Sequence, residues 1–151
     1  MWMIALVGLA LGLVLLVIVA RSERPTRIRS MAVLPFANLS GDPEQDALAD
    51  SVTSQLVAKL SQIKDLRVAQ TSGMRVGKSL PAISKELNVD AVVEGSVMRT
   101  GDRVRMSVRV IQADGEKQLW GGSFDRELQD LPVIEDEIAH KIAVAIHVSL
   151  T

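Results

Sequence analysis

The chain opens on MWMIALVGLALGLVLLVIVA, a stretch without a single charge, and no other feature limits its fold so strongly. A run this apolar cannot lie on the surface of a water-soluble globule. At 1.5 Å per residue it reaches about 30 Å, the thickness of a bilayer's hydrocarbon core. Residues 1–20 are therefore expected to form one membrane-spanning helix, residues 21–29 a basic linker, and residues 30–151 a folded domain. No basic residue precedes Ile4, which disfavours a cleavable signal peptide, although Ile18-Val19-Ala20 passes for a weak cleavage site. Gly8 and Gly12 form a GxxxG pattern. That spacing lets two membrane helices approach closely, so both glycines are expected contacts of a helix homodimer.

Residues 21–151 hold enough apolar side chains for a core, and the whole chain carries a net charge of −1 and no cysteine. The absence of thiols excludes disulfides and a lipid-anchored cysteine. Arg21, Arg24, Arg27 and Arg29 follow the apolar run against one acid, Glu23. The positive-inside preference would put that flank in the cytoplasm.

Beyond the linker, the periodicity alternates between strand and helix. Met31 to Phe36 reads as a buried strand, closed by the turn residues Leu39 to Pro43. Asp42, Pro43 and Gln45 have the spacing of a capping box, followed by an apolar stripe at Leu48, Val52, Leu56, Leu60 and Ile63. Leu66 to Ala69 is a second strand, and Leu80, Ile83 and Leu87 predict a short helix from Pro81 to Asn88. Ala91–Arg99 and Arg103–Gln112 are two strands joined by a hairpin at Thr100-Gly101-Asp102. In the second, Val104, Met106, Val108 and Val110 alternate with Arg103, Arg105, Ser107 and Arg109, so one face is buried and the other meets water. Gln118–Phe124 is a further strand, and a last helix from Pro132 carries Ile134, Ile138, Ile142, Ile146 and Leu150 on one stripe. The expected fold is α/β, in the order β-α-β-α-β-β-β-α. It has a mixed sheet of about five strands with the helices packed on one face.

Thr71–Ser79, TSGMRVGKS, ends like a phosphate-binding loop. Such a loop needs a glycine five residues before its Gly-Lys-Ser, but Ser72 stands there and Gly73 is one position too close. Leu80-Pro81 then leaves room only for a short helix. A turn between strand and helix is the better reading, and no cofactor is expected.

The segments MAVLPFANLSGDPEQDALAD, LRVAQTS, AVVEGSVMRTGDRVRMSVRVIQADGEKQLWGGSFDREL and IEDEIAHKIA together resemble the TolB amino-terminal-like domain over residues 30–147. The resemblance is to the version found in bacterial membrane proteins, between a cytoplasmic effector with its membrane helix and a run of tetratricopeptide repeats. The effector there is often a nucleotide cyclase or a winged-helix domain. It implies a non-catalytic module outside the cytoplasm, used for protein contact or signal reception, and gives the Gly-Lys segment no nucleotide role. Met74 and Val76 stand where such chains often carry aromatics, and Ser51-Val52 replaces a usual Gly-Leu. No specific partner is therefore carried over.

Catalytic chemistry finds little footing. His140 and His147 are seven residues apart on one helix, the wrong spacing for a shared metal. Glu94-Gly-Ser-Val-Met98 and Gly121-Gly-Ser-Phe124 lack the closing glycine of a nucleophile elbow. Asp125 and Glu127 read as a solvated strand end. Arg103, Arg105 and Arg109, with Arg99 near the hairpin, form the one feature suited to a partner. They are expected either to dock an acidic protein or phosphate-bearing ligand, or to be balanced by Glu94 and other acids on neighbouring strands. With a net charge near zero and no interleaved aromatics, nucleic acid is not an expected partner. The expectation is a single-pass inner-membrane protein, not an enzyme, whose domain lies in the periplasm and binds an envelope protein or its own absent repeats. The alternative is the sensory segment of a membrane-bound adenylate or guanylate cyclase or a transcriptional regulator.

Overall fold

The structure, a computed structural model, describes residues 2–22, 27–71, 78–114 and 116–148, with side chains described only to Leu16 in the first segment and His147 in the last. It is a mixed α/β fold of four helices and a six-stranded sheet. Helix α1 is Trp2–Ser22, followed by strands β1 (Ser30–Val33) and β2 (Ala37–Asn38) and helix α2 (Asp46–Leu60). Strand β3 (Arg67–Gln70) and helix α3 (Leu80–Leu87) come next, then β4 (Ala91–Thr100), β5 (Arg103–Gln112), β6 (Gln118–Glu127) and α4 (Leu131–Val148). The strands lie in the order β3-β1-β4-β5-β6, with β2 beside the far half of β4. The β1, β2 and β3 pairings are parallel, and those of β4 with β5 and β5 with β6 antiparallel.

The strand expected over Met31–Phe36 is broken. Val33 pairs with Val93, but Ala37 pairs with Ser96, so β1–β2 holds one residue more than β4 between the same points. Pro35 sits there, with no N–H to give to a ladder. The extra residue swings Phe36 back into the main core beside Met31 and Val33, instead of leaving it with Leu34 on the opposite face. This bulge is why the sheet has six strands rather than about five.

The helices do not share one face. Helices α2 and α4 cover one side, burying Val52, Leu56, Ile134, Ile138 and Ile142 against Met31, Val93, Met106 and Val110. Helix α3 covers the other, setting Ile83 against Ala32, Leu34 and Val92. Parallel strands joined by crossover helices are commonly buried on both faces, and here β1 alternates between the two cores. Because α3 is only two turns long, it reaches β1 and the start of β4 and leaves the antiparallel half of that face open.

Local chemistry ends the elements. Asp42 accepts the Glu44 N–H and so caps a 3-10 turn, Pro43–Gln45, that precedes α2; the expected capping box is not formed, and Gln45 donates its N–H to the Asp42 carbonyl. Gly101, at φ 58°, takes the first loop position of the β4–β5 hairpin, the conformation a type II′ turn demands. Ile28, within the stretch read as linker, is buried in the main core. Leu150 lies outside the described residues.

Among the described residues no helix is long and apolar enough to cross a membrane, so the span expected over residues 1–20 is not established by the fold. Helix α1 has every described side chain exposed, from Trp2 at 86% to Leu16 at 68%. Gly8 and Gly12 lie on it with nothing near the place a Cβ would occupy.

Candidate functional site

The uncovered half of the α3-side face is built by cross-strand rows, since residues directly opposite on paired strands point the same way. One row runs Glu94, Arg109, Gly121; the next Ala37, Ser96, Ser107, Ser123; the third Met98, Arg105, Asp125. The β5 alternation expected from sequence is present residue by residue, with Arg103, Arg105, Ser107 and Arg109 exposed and Val104, Met106, Val108 and Val110 buried. The first two rows line an open cavity of about 600 Å³, with Gln118 at one end.

Each arginine of this face meets a carboxylate. Arg103 reaches Asp125 through Nη2 at 3.0 Å and Nε at 3.1 Å, and Arg105 Nη2 reaches its other oxygen at 3.2 Å. The Arg103 and Arg105 hydrogen bonds hold the Asp125 carboxyl below its ordinary value. Arg109 pairs through Nη2 with Glu94. The balancing acids expected on neighbouring strands are thus in place, and Asp125, read from sequence as a solvated strand end, bridges two of the cations. Its place in the strand register, two residues before Glu127 opposite Arg103, was the available signal.

The structure separates Arg99 from the other three. It stands opposite Val104, a core residue, so it belongs to the helix-covered face. There its Nε donates to the Gly101 carbonyl at 2.9 Å, and it lines a small pocket with Ser40, Asp42 and Gln45. An odd-numbered position on β4 shares its face with even-numbered positions on β5, which the numbering of the arginines hides.

The two ion-pair groups differ physically. Asp125 is half exposed, so its ion pairs compete with water and are screened by salt. The Glu94 side chain is 5% exposed while Arg109 remains 54% exposed. Leaving a buried carboxylate without its partner is costly, so Glu94 favours keeping this guanidinium beside it.

Elsewhere the chemistry is structural. Ser79 caps α3 by accepting the Ala82 N–H at 3.4 Å, and Lys78 pairs with Glu86 at 2.6 Å. The hydroxyl and ammonium that suggested a phosphate loop serve the helix itself. Residues 72–77, including Gly73, Met74, Val76 and Gly77, lie outside the described residues. His140 and His147 are both exposed on α4. Among the described residues no group of three or more His, Asp or Glu side chains is placed to hold a metal.

Comparison with known proteins fits this architecture. TolB from Acinetobacter baumannii superposes with a TM-score of 0.53 at 15% identity, covering 84% of this chain and 29% of that one. The PelC dodecamer subunit from Paraburkholderia phytofirmans superposes at 0.55 and 17%, covering 80% and 89%. At such identities these matches speak for a shared TolB-like fold alone. In sequence, the chain is 40% identical over 126 residues to "Putative adenylate cyclase 3" of Rhizobium meliloti (strain 1021), covering 81% of this chain. The chain spans 22% of that relative's length. Residues 27–141 match the family described as HilA/YgeH-like transcriptional regulator, second domain. With about three quarters of its length inside that match, this chain belongs to the HilA/YgeH-like regulator second-domain family.

Proposed function

We propose that the chain is a non-catalytic regulatory module that receives a signal or a protein contact and passes it to an effector. The carrying observation is its 40% identity to a short part of a protein named as a putative adenylate cyclase, together with membership of a family described as the second domain of a transcriptional regulator. A domain shared by effectors of different kinds is more economically a receiver than the catalytic or DNA-reading part. This reading favours the sensory segment of a cyclase or regulator over a free-standing envelope adaptor.

In this account α1 anchors the module in the inner membrane. Support comes from the uncharged run Met1–Ala20 and from apolar side chains exposed along the described part of the helix. Gly8 and Gly12 would serve close packing with a second copy. The folded domain would lie in the periplasm, as the TolB-like resemblance implies, and would present the open face of β4, β5 and β6 to an envelope protein or to repeats of its own polypeptide. Arg103, Arg105 and Arg109 lie on that presented surface, whereas Arg99 lies on the opposite one. Nucleic acid has no part in this reading.

Replacing the matched region of the Rhizobium relative tests the function. Deleting that region should change cyclic nucleotide output in cells, and inserting this chain should restore it. Unchanged output on deletion, or a stably expressed chimera that fails to restore it, would refute a regulatory role.

A further inference from the structure

We infer that the cavity beside Arg109 binds a small anionic solute through a carboxylate or phosphate group. The inference deepens the receiver reading by naming what the open face takes. Three observations meet there. First, the guanidinium of Arg109 stands at the wall of an open cavity of about 600 Å³, room enough for a small molecule to rest on the sheet. Second, its position is fixed from behind. Glu94, 4% exposed, contacts Nη2, and the cost of leaving that carboxylate alone keeps the guanidinium from swinging away. A guanidinium carries five N–H donors in a rigid fork, so a carboxylate on one edge leaves donors on another for a two-oxygen acceptor. Third, the hydroxyls of Ser96, Ser107 and Ser123 and the amide of Gln118 line the same cavity, with Ser107 and Ser123 Oγ 3.5 Å apart. Those groups supply hydrogen bonds to the rest of a polar molecule.

Arg103 and Arg105 lack this arrangement. Both lean on one half-exposed carboxylate, Asp125, and bind it in competition with water. A ligand ordering either of them must supply the entropy cost that Glu94 has already met for Arg109. Gly121 keeps the wall beside Arg109 low. A Cβ there would stand 2.6 Å from Nε2 of Gln118 and push that amide out of place.

The test is ¹⁵N NMR of the full chain in detergent micelles, titrated with sodium succinate and separately with sodium phosphate, against sodium chloride at matched ionic strength. The expected result is a saturable shift of the Arg109 Nε–H and of the Ser107 and Ser123 amides with at least one probe. Whichever probe saturates identifies the group. Arg103→Gln should leave the titration unchanged. The double variant Glu94→Gln/Arg109→Gln, which removes the buried carboxylate together with its exposed partner and so avoids an orphaned charge, should weaken it at least tenfold. Shifts that grow linearly at all arginines, or saturable binding that survives the double variant, would overturn the inference. The cyclase restoration assay does not depend on these probes, so a regulatory module without this site remains distinguishable from a failed regulatory reading.

Discussion

The backbone N–H of Phe36 donates to Oγ1 of Thr53 at 3.0 Å, tying the bulge after β1 to the middle of α2. The same hydroxyl donates to the Ala49 carbonyl at 2.8 Å, so a buried threonine is satisfied in both roles. Thr53→Val keeps the shape and removes the acceptor. A buried N–H left without a partner costs about 1–3 kcal/mol. Urea denaturation of the variant should show a lower midpoint by that margin with an unchanged m-value.

Gly95 lies against Phe36 from the other side. A Cβ at Gly95 would stand 2.7 Å from the Phe36 ring and would also collide with the Ser107 carbonyl, a backbone atom that cannot turn aside. Gly95→Ala should therefore destabilise by about 1–3 kcal/mol, the range for forced overpacking, despite adding only a methyl group. Pairing it with Phe36→Leu should return part of the loss, because the ring is one of the two obstacles. A variant as stable as the parent would contradict this packing.

Glu135 is buried at the start of α4, and burial raises its carboxyl pKa above the ordinary 4.5, opposed by Lys59. A carboxyl raised in the folded state favours folding at pH values below its unfolded pKa. That contribution is lost as pH rises through the folded value. Glu135→Gln should consequently raise Tm by a few degrees at neutral pH and have little effect below pH 4.5. Melting curves across that range check the sign; a variant less stable at pH 7 than at pH 4 relative to the parent would reverse it.

Ser79→Ala removes the cap of α3 and should cost about 0.5–2 kcal/mol, typical of such caps. Because that hydroxyl and Lys78 are engaged by α3, Mg-ATP should leave the melting temperature of the parent unchanged. A saturable ATP-dependent rise, lost in the variant, would revive a nucleotide role.

Much of this was legible in the residues. The strict alternation of β5 and the isoleucine stripe of α4 located their buried faces, because each period has one structural meaning. The second core was not legible. Ala32, Leu34 and Val92 sit in runs apolar at every position, where no period tells one face from the other, and only the placement of α3 divides them. The same limit hid the bulge at Pro35. At the site, the arginines and the acid beside them could be named, but the burial of Glu94 could not, since it depends on neighbouring strands whose residues lie far apart in sequence. The displacement of Arg99 to the other face likewise follows from hairpin register rather than from composition.

We propose that the receiver module is held at the membrane by α1 and displayed outside the cytoplasm. Protease digestion of intact cells, of cells with a permeabilised outer membrane, and of lysed spheroplasts tests this placement, and a separate carbonate wash of isolated membranes tests the anchor. The chain is expected to stay with the washed membranes and to lose residues 30–151 once the outer membrane is opened. A chain released by carbonate, or a domain cut only after spheroplast lysis, would contradict it.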